Sequence, residues 1–133
     1  PPTPADTGTL PVPDTPAPAL MDFSRLEEFR EFDDEDLSMS RAVVDLFLAD
    51  APARLAAIAA AVAAGDGAAL SVAAHALKGS AGNIGASALM AHCAGLEAAA
   101  AAGGLPADAA MRLAHLQALW DDTRATLEGW RGV

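Results

Sequence analysis

The eleven residues His75-Ala76-Leu77-Lys78-Gly79-Ser80-Ala81-Gly82-Asn83-Ile84-Gly85 decide how the chain is read. On a helix each residue turns the side chain by roughly 100°. Leu70, Ala74, Leu77, Ala81 and Ile84 then share one narrow stripe, at the spacing of a buried seam between packed helices. His75 points roughly 140° away from that stripe and is expected to face water. Its neighbours on that face are Ser71, Lys78, Gly79 and Gly82, three of them small. Lys78 and Gly79 occupy the i+3 and i+4 positions that touch His75 along the helix surface.

Two glycines inside one helix cost roughly 0.5–1 kcal/mol each against alanine, in a chain that uses alanine freely. Beside an exposed histidine they remove bulk, so another protein's surface can come close to the imidazole. A lysine one turn away can hold a negative charge placed on that ring. Between Arg54 and Arg112 it is the only lysine or arginine, so its position is not a by-product of abundance. Asn83 lies near Gly79 on the wheel and is a candidate hydrogen-bonding contact.

Working outward, residues 22–32 space Phe23, Leu26, Phe29 and Phe32 by threes and predict a short amphipathic helix whose aromatic side covers one end of the domain. The run from Asp33 to Asp36 reads as a solvated turn and the start of the next helix, where carboxylates suit the helix dipole. A long helix is expected over about 38–64, with Val44, Phe47, Ala51, Leu55, Ile58 and Val62 inward and a bend at Pro52. Gly65-Asp66-Gly67 ends it, the helix carrying His75 spans about 68–84, and Gly85 closes that helix. A further helix over about 87–102 turns Leu89, Cys93, Leu96 and Ala100 inward, with Ser87 as its N-cap. Pro106 is expected in the first turn of a last helix, running to about Glu128, with Leu113, Leu116, Trp120, Thr123 and Leu127 on its seam. Four such helices joined by short turns predict an all-α fold: an antiparallel, up-down-up-down four-helix bundle with a short N-terminal capping helix.

Residues 1–20 hold seven of the nine prolines and read as a Pro-rich disordered linker, leaving 21–133 as the domain. The chain opens on proline rather than methionine, so it is expected to continue a longer protein, the linker tethering it to an upstream domain. A net charge of −10 excludes nucleic acid as a partner, whose phosphates would be repelled, and equally anionic membrane surfaces. Residues 79–96 are uncharged, but Ser80, Asn83 and His92 spoil a membrane span, and no signal sequence opens the chain. Cys93 is the only cysteine, which rules out an internal disulfide and suits a cytoplasmic setting.

His92 and His115 have no second histidine or carboxylate at i+3 or i+4 to form a chelating pair and are read as structural or surface residues, so no metal site is expected. Cys93 lies on an apolar seam and reads as packing rather than a nucleophile. No P-loop or dinucleotide fingerprint is present, so ATP is not an expected ligand.

The stretch from His75 to Gly85 resembles the phosphorylation motif of histidine-containing phosphotransfer (HPt) domains, written H-x-L-K-G-x5-G. Its fixed positions are met by His75, Leu77, Lys78, Gly79 and Gly85, and the helical layout extends the resemblance over about residues 22–129. The resemblance implies a phosphorelay. His75 would accept a phosphoryl group through Nε2 from the aspartyl phosphate of one receiver domain and pass it to another. Lys78 would steady the phosphoryl oxygens, and Ser71, Gly79, Gly82 and Asn83 would meet the partner. The receivers would belong to a hybrid sensor kinase or a response regulator, and the Mg²⁺ would sit on the receiver, leaving this chain without a cofactor. The domain would be a monomeric phosphoryl carrier with no ATP site of its own, either free-standing or the C-terminal part of a hybrid histidine kinase. The competing reading is a helical adaptor that binds receivers without being phosphorylated.

Overall fold

The computed structural model describes residues 19–35 and 38–132. Among them the chain forms five helices and no strand: α1 (Ser24–Glu31), α2 (Ser38–Ala64), α3 (Gly67–Ile84), α4 (Ser87–Gly103) and α5 (Ala109–Gly132). α2 packs on α3, α3 on α4 and α4 on α5, and α5 returns to α2, so the four long helices close a ring; α1 lies against α2 and α3. The linker expected over 1–20 falls, up to residue 18, outside the described residues.

The stripes read from helical spacing form the core. Leu70, Ala74, Leu77, Ala81 and Ile84 of α3 are buried, as are Leu89, Cys93, Leu96 and Ala100 of α4. On α2, Val44, Phe47, Ala51, Leu55 and Ile58 are buried. That stripe then continues by threes to Ala61, which leaves Val62 half-buried on its flank. α5 buries Leu116, Trp120, Thr123 and Leu127, with Leu113 half-buried. Phe47 meets Trp120 edge to face at 5.8 Å between ring centres, joining α2 to α5. Thr123 is tolerated in an apolar seam because its hydroxyl donates to the Leu119 carbonyl at 2.7 Å.

Four local expectations are corrected. Phe32 is 84% exposed, because α1 ends at Glu31 and the side chain leaves the apolar face; Leu26 alone is fully buried there, with Phe23 and Phe29 half-buried. Ser87 is not an N-cap but the first residue of α4; its hydroxyl turns back to the Gly85 carbonyl at 3.3 Å. Pro106 precedes α5 by three residues and accepts from the Ala109 amide at 3.1 Å, so it shapes the turn rather than the first helical turn. Asp66, read only as a breaker, is the N-cap of α3, its carboxylate accepting from the Ala69 amide at 3.0 Å.

α2 is long and apolar enough, by length and composition, to cross a membrane, with a mean hydropathy of 1.6 over its best window. In the fold its apolar stripe is packed against α3 and α5. Pro52 sits inside α2 on the exposed side without ending the helix.

Two glycines hold the ring's turns together. Gly85 has φ +81°, and a Cβ there would stand 2.0 Å from the Asp22 carbonyl oxygen. The Asp22 amide donates to the Gly85 carbonyl at 2.7 Å and the Ala88 amide donates to that of Leu20 at 3.3 Å, so residues 20–22 strap the α3–α4 turn with Met21 buried beneath. At the opposite turns, a Cβ on Gly67 would lie 2.5 Å from the Gly104 Cα. The α2–α3 and α4–α5 connections can touch only without it.

Asp33 organises the start of α2. Its carboxylate accepts from the amides of Asp34 (2.8 Å), Met39 (3.1 Å) and Ser40 (2.7 Å). Burial pushes this carboxyl upward, but hydrogen bonds from Ser40, Asp34 and Met39 together outweigh it and bring its pKa down to about 2. A folded-state pKa below the unfolded value gives stability that is complete above the unfolded pKa, about 3.8, and is lost as pH falls through about 2. Asp33→Ala is therefore expected to lower the melting temperature at pH 7, the difference from wild type shrinking as thermal melts are taken from pH 4 to below pH 2. A difference that does not change with pH would contradict this.

Candidate functional site

With Leu70, Ala74, Leu77, Ala81 and Ile84 turned inward, α3 presents His75 outward, its side chain 66% exposed. The ring is not free to swing. Glu97, one helical turn after the buried Cys93 on α4, places Oε2 2.9 Å from His75 Nδ1 and Oε1 2.6 Å from Lys78 Nζ. One carboxylate thus clamps the histidine and the lysine of α3 together.

Lys78 beside it, and secondarily His75, holds the Glu97 carboxyl below the usual carboxylate range against the upward pull of burial. An ionised carboxylate only accepts hydrogen bonds, so in the neutral ring the hydrogen is assigned to Nδ1 and donated to Glu97. The lone pair of Nε2 is left pointing away from the clamp.

Glu97 was not among the residues singled out from the sequence. It lies 22 residues from His75 and outside the motif, and helical spacing reports only neighbours on the same helix. A signal existed nonetheless: Glu97 is the only acidic residue between Asp66 and Asp108, in the same uncharged stretch where Lys78 is the only lysine or arginine.

The other predicted residues spread along α3. Ser71 is half-buried one turn before His75, and Gly79 is exposed one turn after it. A Cβ on Gly79 would meet nothing within 4 Å, whereas one on Gly82 would lie 3.1 Å from the Met90 sulfur. The space beside Gly79 is open, and that beside Gly82 is occupied by α4. Asn83 is exposed and, with Ser80, lines a cavity of about 560 Å³ whose far wall includes Phe29, Leu46 and Arg54. A second, apolar groove of about 720 Å³ runs between α2 and α3, along Ala53, Ala57, Ala69, Val72, Ala73 and Ala76. Leu46 and Val72, both more than two-thirds exposed, line one cavity each. The α2 side of His75 is therefore accessible and lined mostly by small apolar residues, with the paired Asp50 and Arg54 in its wall, while Glu97 of α4 engages the ring from the other side.

The remaining titratable groups are placed differently. Burial pushes the Cys93 thiol up to about 12, which removes it as a nucleophile at neutral pH. His92 and His115, unrelated on their separate helices, meet across α4 and α5 with ring centres 4.8 Å apart. The ring Nε2 of His92 lies 2.8 Å from the Arg112 carbonyl oxygen, and burial pushes its pKa down. Among the described residues no three or more His, Cys, Asp or Glu side chains are grouped to hold a metal ion.

Comparison with known proteins places this fold in a family. The Hpt domain family matches residues 42–126, well over half of the chain. The crystal structure of histidine-containing phosphotransfer protein B (HptB) from Pseudomonas aeruginosa PAO1 is similar, with a TM-score of 0.76 at 28% identity, covering 85% of this chain and 95% of that one. No curated protein sequence matches the chain. The chain belongs to the Hpt domain family, the helical domains of histidine phosphotransfer in phosphorelays.

Proposed function

We propose that this domain is a phosphoryl carrier between receiver domains. His75 accepts the phosphoryl group of a receiver's aspartyl phosphate on Nε2 and hands it to the aspartate of a second receiver. The observation that carries this reading is the clamp: an exposed imidazole whose Nδ1 is engaged by Glu97 at 2.9 Å has its nucleophilic nitrogen turned outward. Fixing a nucleophile in one tautomer and orientation removes part of the entropic cost of attack. Lys78, one turn from the ring, supplies positive charge for the incoming phosphoryl oxygens. The Mg²⁺ and the acidic pocket belong to the receiver, and the carrier needs no cofactor of its own.

In this reading the ring of long helices is an antiparallel, up-down-up-down four-helix bundle with α1 as its cap. The receiver docks on the α2 side of His75, over the alanine-lined groove, with Ser71, Gly79 and Asn83 along its edge. The partners are receiver domains of a hybrid sensor kinase or of a response regulator. The carrier works as a cytoplasmic monomer, tethered through residues 1–20 where it forms the C-terminal part of a kinase.

Incubation with a phosphorylated receiver and Mg²⁺ tests the reading: it predicts acid-labile, alkali-stable label on the domain, and none from ATP alone. Label from ATP alone would instead make the domain a kinase. Gly79→Ala separates docking from folding within the same assay. An alanine fits the open space at Gly79 and is expected to stabilise the helix by about 0.5–1 kcal/mol, yet its methyl intrudes on the approach to His75. The expected result is a higher melting temperature together with several-fold slower uptake from the receiver. Unchanged uptake would remove Gly79 from the docking face.

A further inference from the structure

Glu97 touches both groups that the transfer uses, and its charge has a consequence for the phosphorylated state. When neutral His75 attacks, the O–P bond of the aspartyl phosphate breaks, the Nε2–P bond forms, and the aspartate carboxylate leaves with the electron pair. The Nδ1 hydrogen stays where it was, so the ring becomes a phosphoimidazolium cation directly against the Glu97 carboxylate. In the onward step a second receiver's aspartate oxygen attacks phosphorus, the N–P bond breaks, and its electron pair returns to Nε2. If Nδ1 still carries its hydrogen, the leaving group is neutral imidazole. If that hydrogen has been lost, the leaving group is an imidazolide anion, which departs far less readily.

We propose that Glu97 is a positioning residue that keeps Nδ1 of phosphorylated His75 protonated, and thereby keeps the phosphoryl group transferable at and above neutral pH. This rests on His75 being the phosphoryl acceptor and adds what makes the acceptor a good donor. The geometry supports it from each side. Glu97 Oε2 is in hydrogen-bond contact with Nδ1, and an opposite charge at that range favours the charged form of a ring. Lys78, the charged neighbour on α3, is held at Glu97 Oε1. Across the groove on α2, Arg54 and Asp50 are closed on each other as an ion pair. Arg25 of α1 lies farther along, in the cavity with Asn83. Glu97 is thus the one carboxylate among these groups that contacts the ring.

The test uses the whole chain phosphorylated chemically with phosphoramidate, which needs no receiver. The phospho-His75 resonance, assigned by its loss in His75→Gln, is titrated by ³¹P and ¹⁵N NMR in wild type, Glu97→Gln and Glu97→Asp. Wild type is expected to lose the Nδ1 hydrogen at a pH about one unit or more above Glu97→Gln, and Glu97→Asp, which keeps the charge, to recover most of the difference. Onward transfer to an unphosphorylated receiver with Mg²⁺ is expected to be similar in wild type and Glu97→Gln near pH 6. At pH 8 it should be about tenfold slower in Glu97→Gln, the equivalent of one pK unit. Coincident titration midpoints, or a rate deficit that is the same at both pH values, would overturn the proposal while leaving the carrier reading intact. The expected midpoints with no transfer to or from any receiver would support the role of Glu97 and count against the carrier reading.

Discussion

His75→Gln is expected to take no label at all from a phosphorylated receiver, while folding as the wild type does. The histidine side chain is 66% exposed and contributes nothing to the buried seams of α3, so its replacement should alter stability by no more than about 0.5 kcal/mol. Glutamine is close enough in length to reach Glu97, but its amide nitrogen has no lone pair available for attack on phosphorus. The loss should therefore be complete, not graded. His92→Gln and His115→Gln are the informative controls. Neither ring is in contact with Glu97 or Lys78, and the two face each other across α4 and α5. Both variants should be labelled as wild type is. Residual label on His75→Gln, removed by either of the other two substitutions, would move the acceptor to the α4–α5 pair.

Gly85→Ala is expected to have the largest effect on stability and no direct effect on chemistry. The residue has φ +81°, where an L side chain costs about 1–2 kcal/mol. The added Cβ would in addition stand 2.0 Å from the Asp22 carbonyl oxygen, a backbone atom that cannot rotate away. Forcing such a contact typically costs a further 1–3 kcal/mol, so the total should be about 2–5 kcal/mol. Its first consequence should be release of the strap formed by residues 20–22 over the α3–α4 turn. Urea denaturation read by tryptophan fluorescence measures this, and a midpoint equal to that of wild type would contradict the packing described. Taken with Gly79→Ala, which should stabilise, this divides the motif by physical role. Leu77 and Gly85 build the helix pair, and His75, Lys78 and Gly79 lie on the outer side of α3.

Much of this was legible because one period governs a long helix. Leu70 to Ile84 and Leu89 to Ala100 follow the helical repeat, and those positions are the buried ones. The exposure of His75 followed from the same wheel. Helix ends were less legible because they depend on where backbone hydrogen bonding stops. Phe32 continues the threefold spacing of α1, yet the helix has ended at Glu31 and the ring lies in solvent. Ser87 and Pro106 are each suited to a helix start, yet Ser87 is the first residue of α4 rather than its cap, and α5 starts three residues after Pro106. The clamp was hidden for a different reason. Glu97 reaches His75 through the packing of α4 on α3, and the His92–His115 contact through that of α5 on α4; pairing between helices is not written in the spacing of either. The uncharged stretch that isolates one lysine and one glutamate was the available clue.

The central claim is that Nε2 of His75 is the outward-facing acceptor, and the most direct measurement is two-dimensional ¹H–¹⁵N NMR of the imidazole before and after phosphorylation by a receiver. The unphosphorylated ring should show hydrogen on Nδ1 and a free lone pair on Nε2, and the phosphorylated one should show phosphorus coupled to Nε2 of His75. Phosphorus on Nδ1 or on another residue, or a resting ring with its hydrogen on Nε2, would contradict the account.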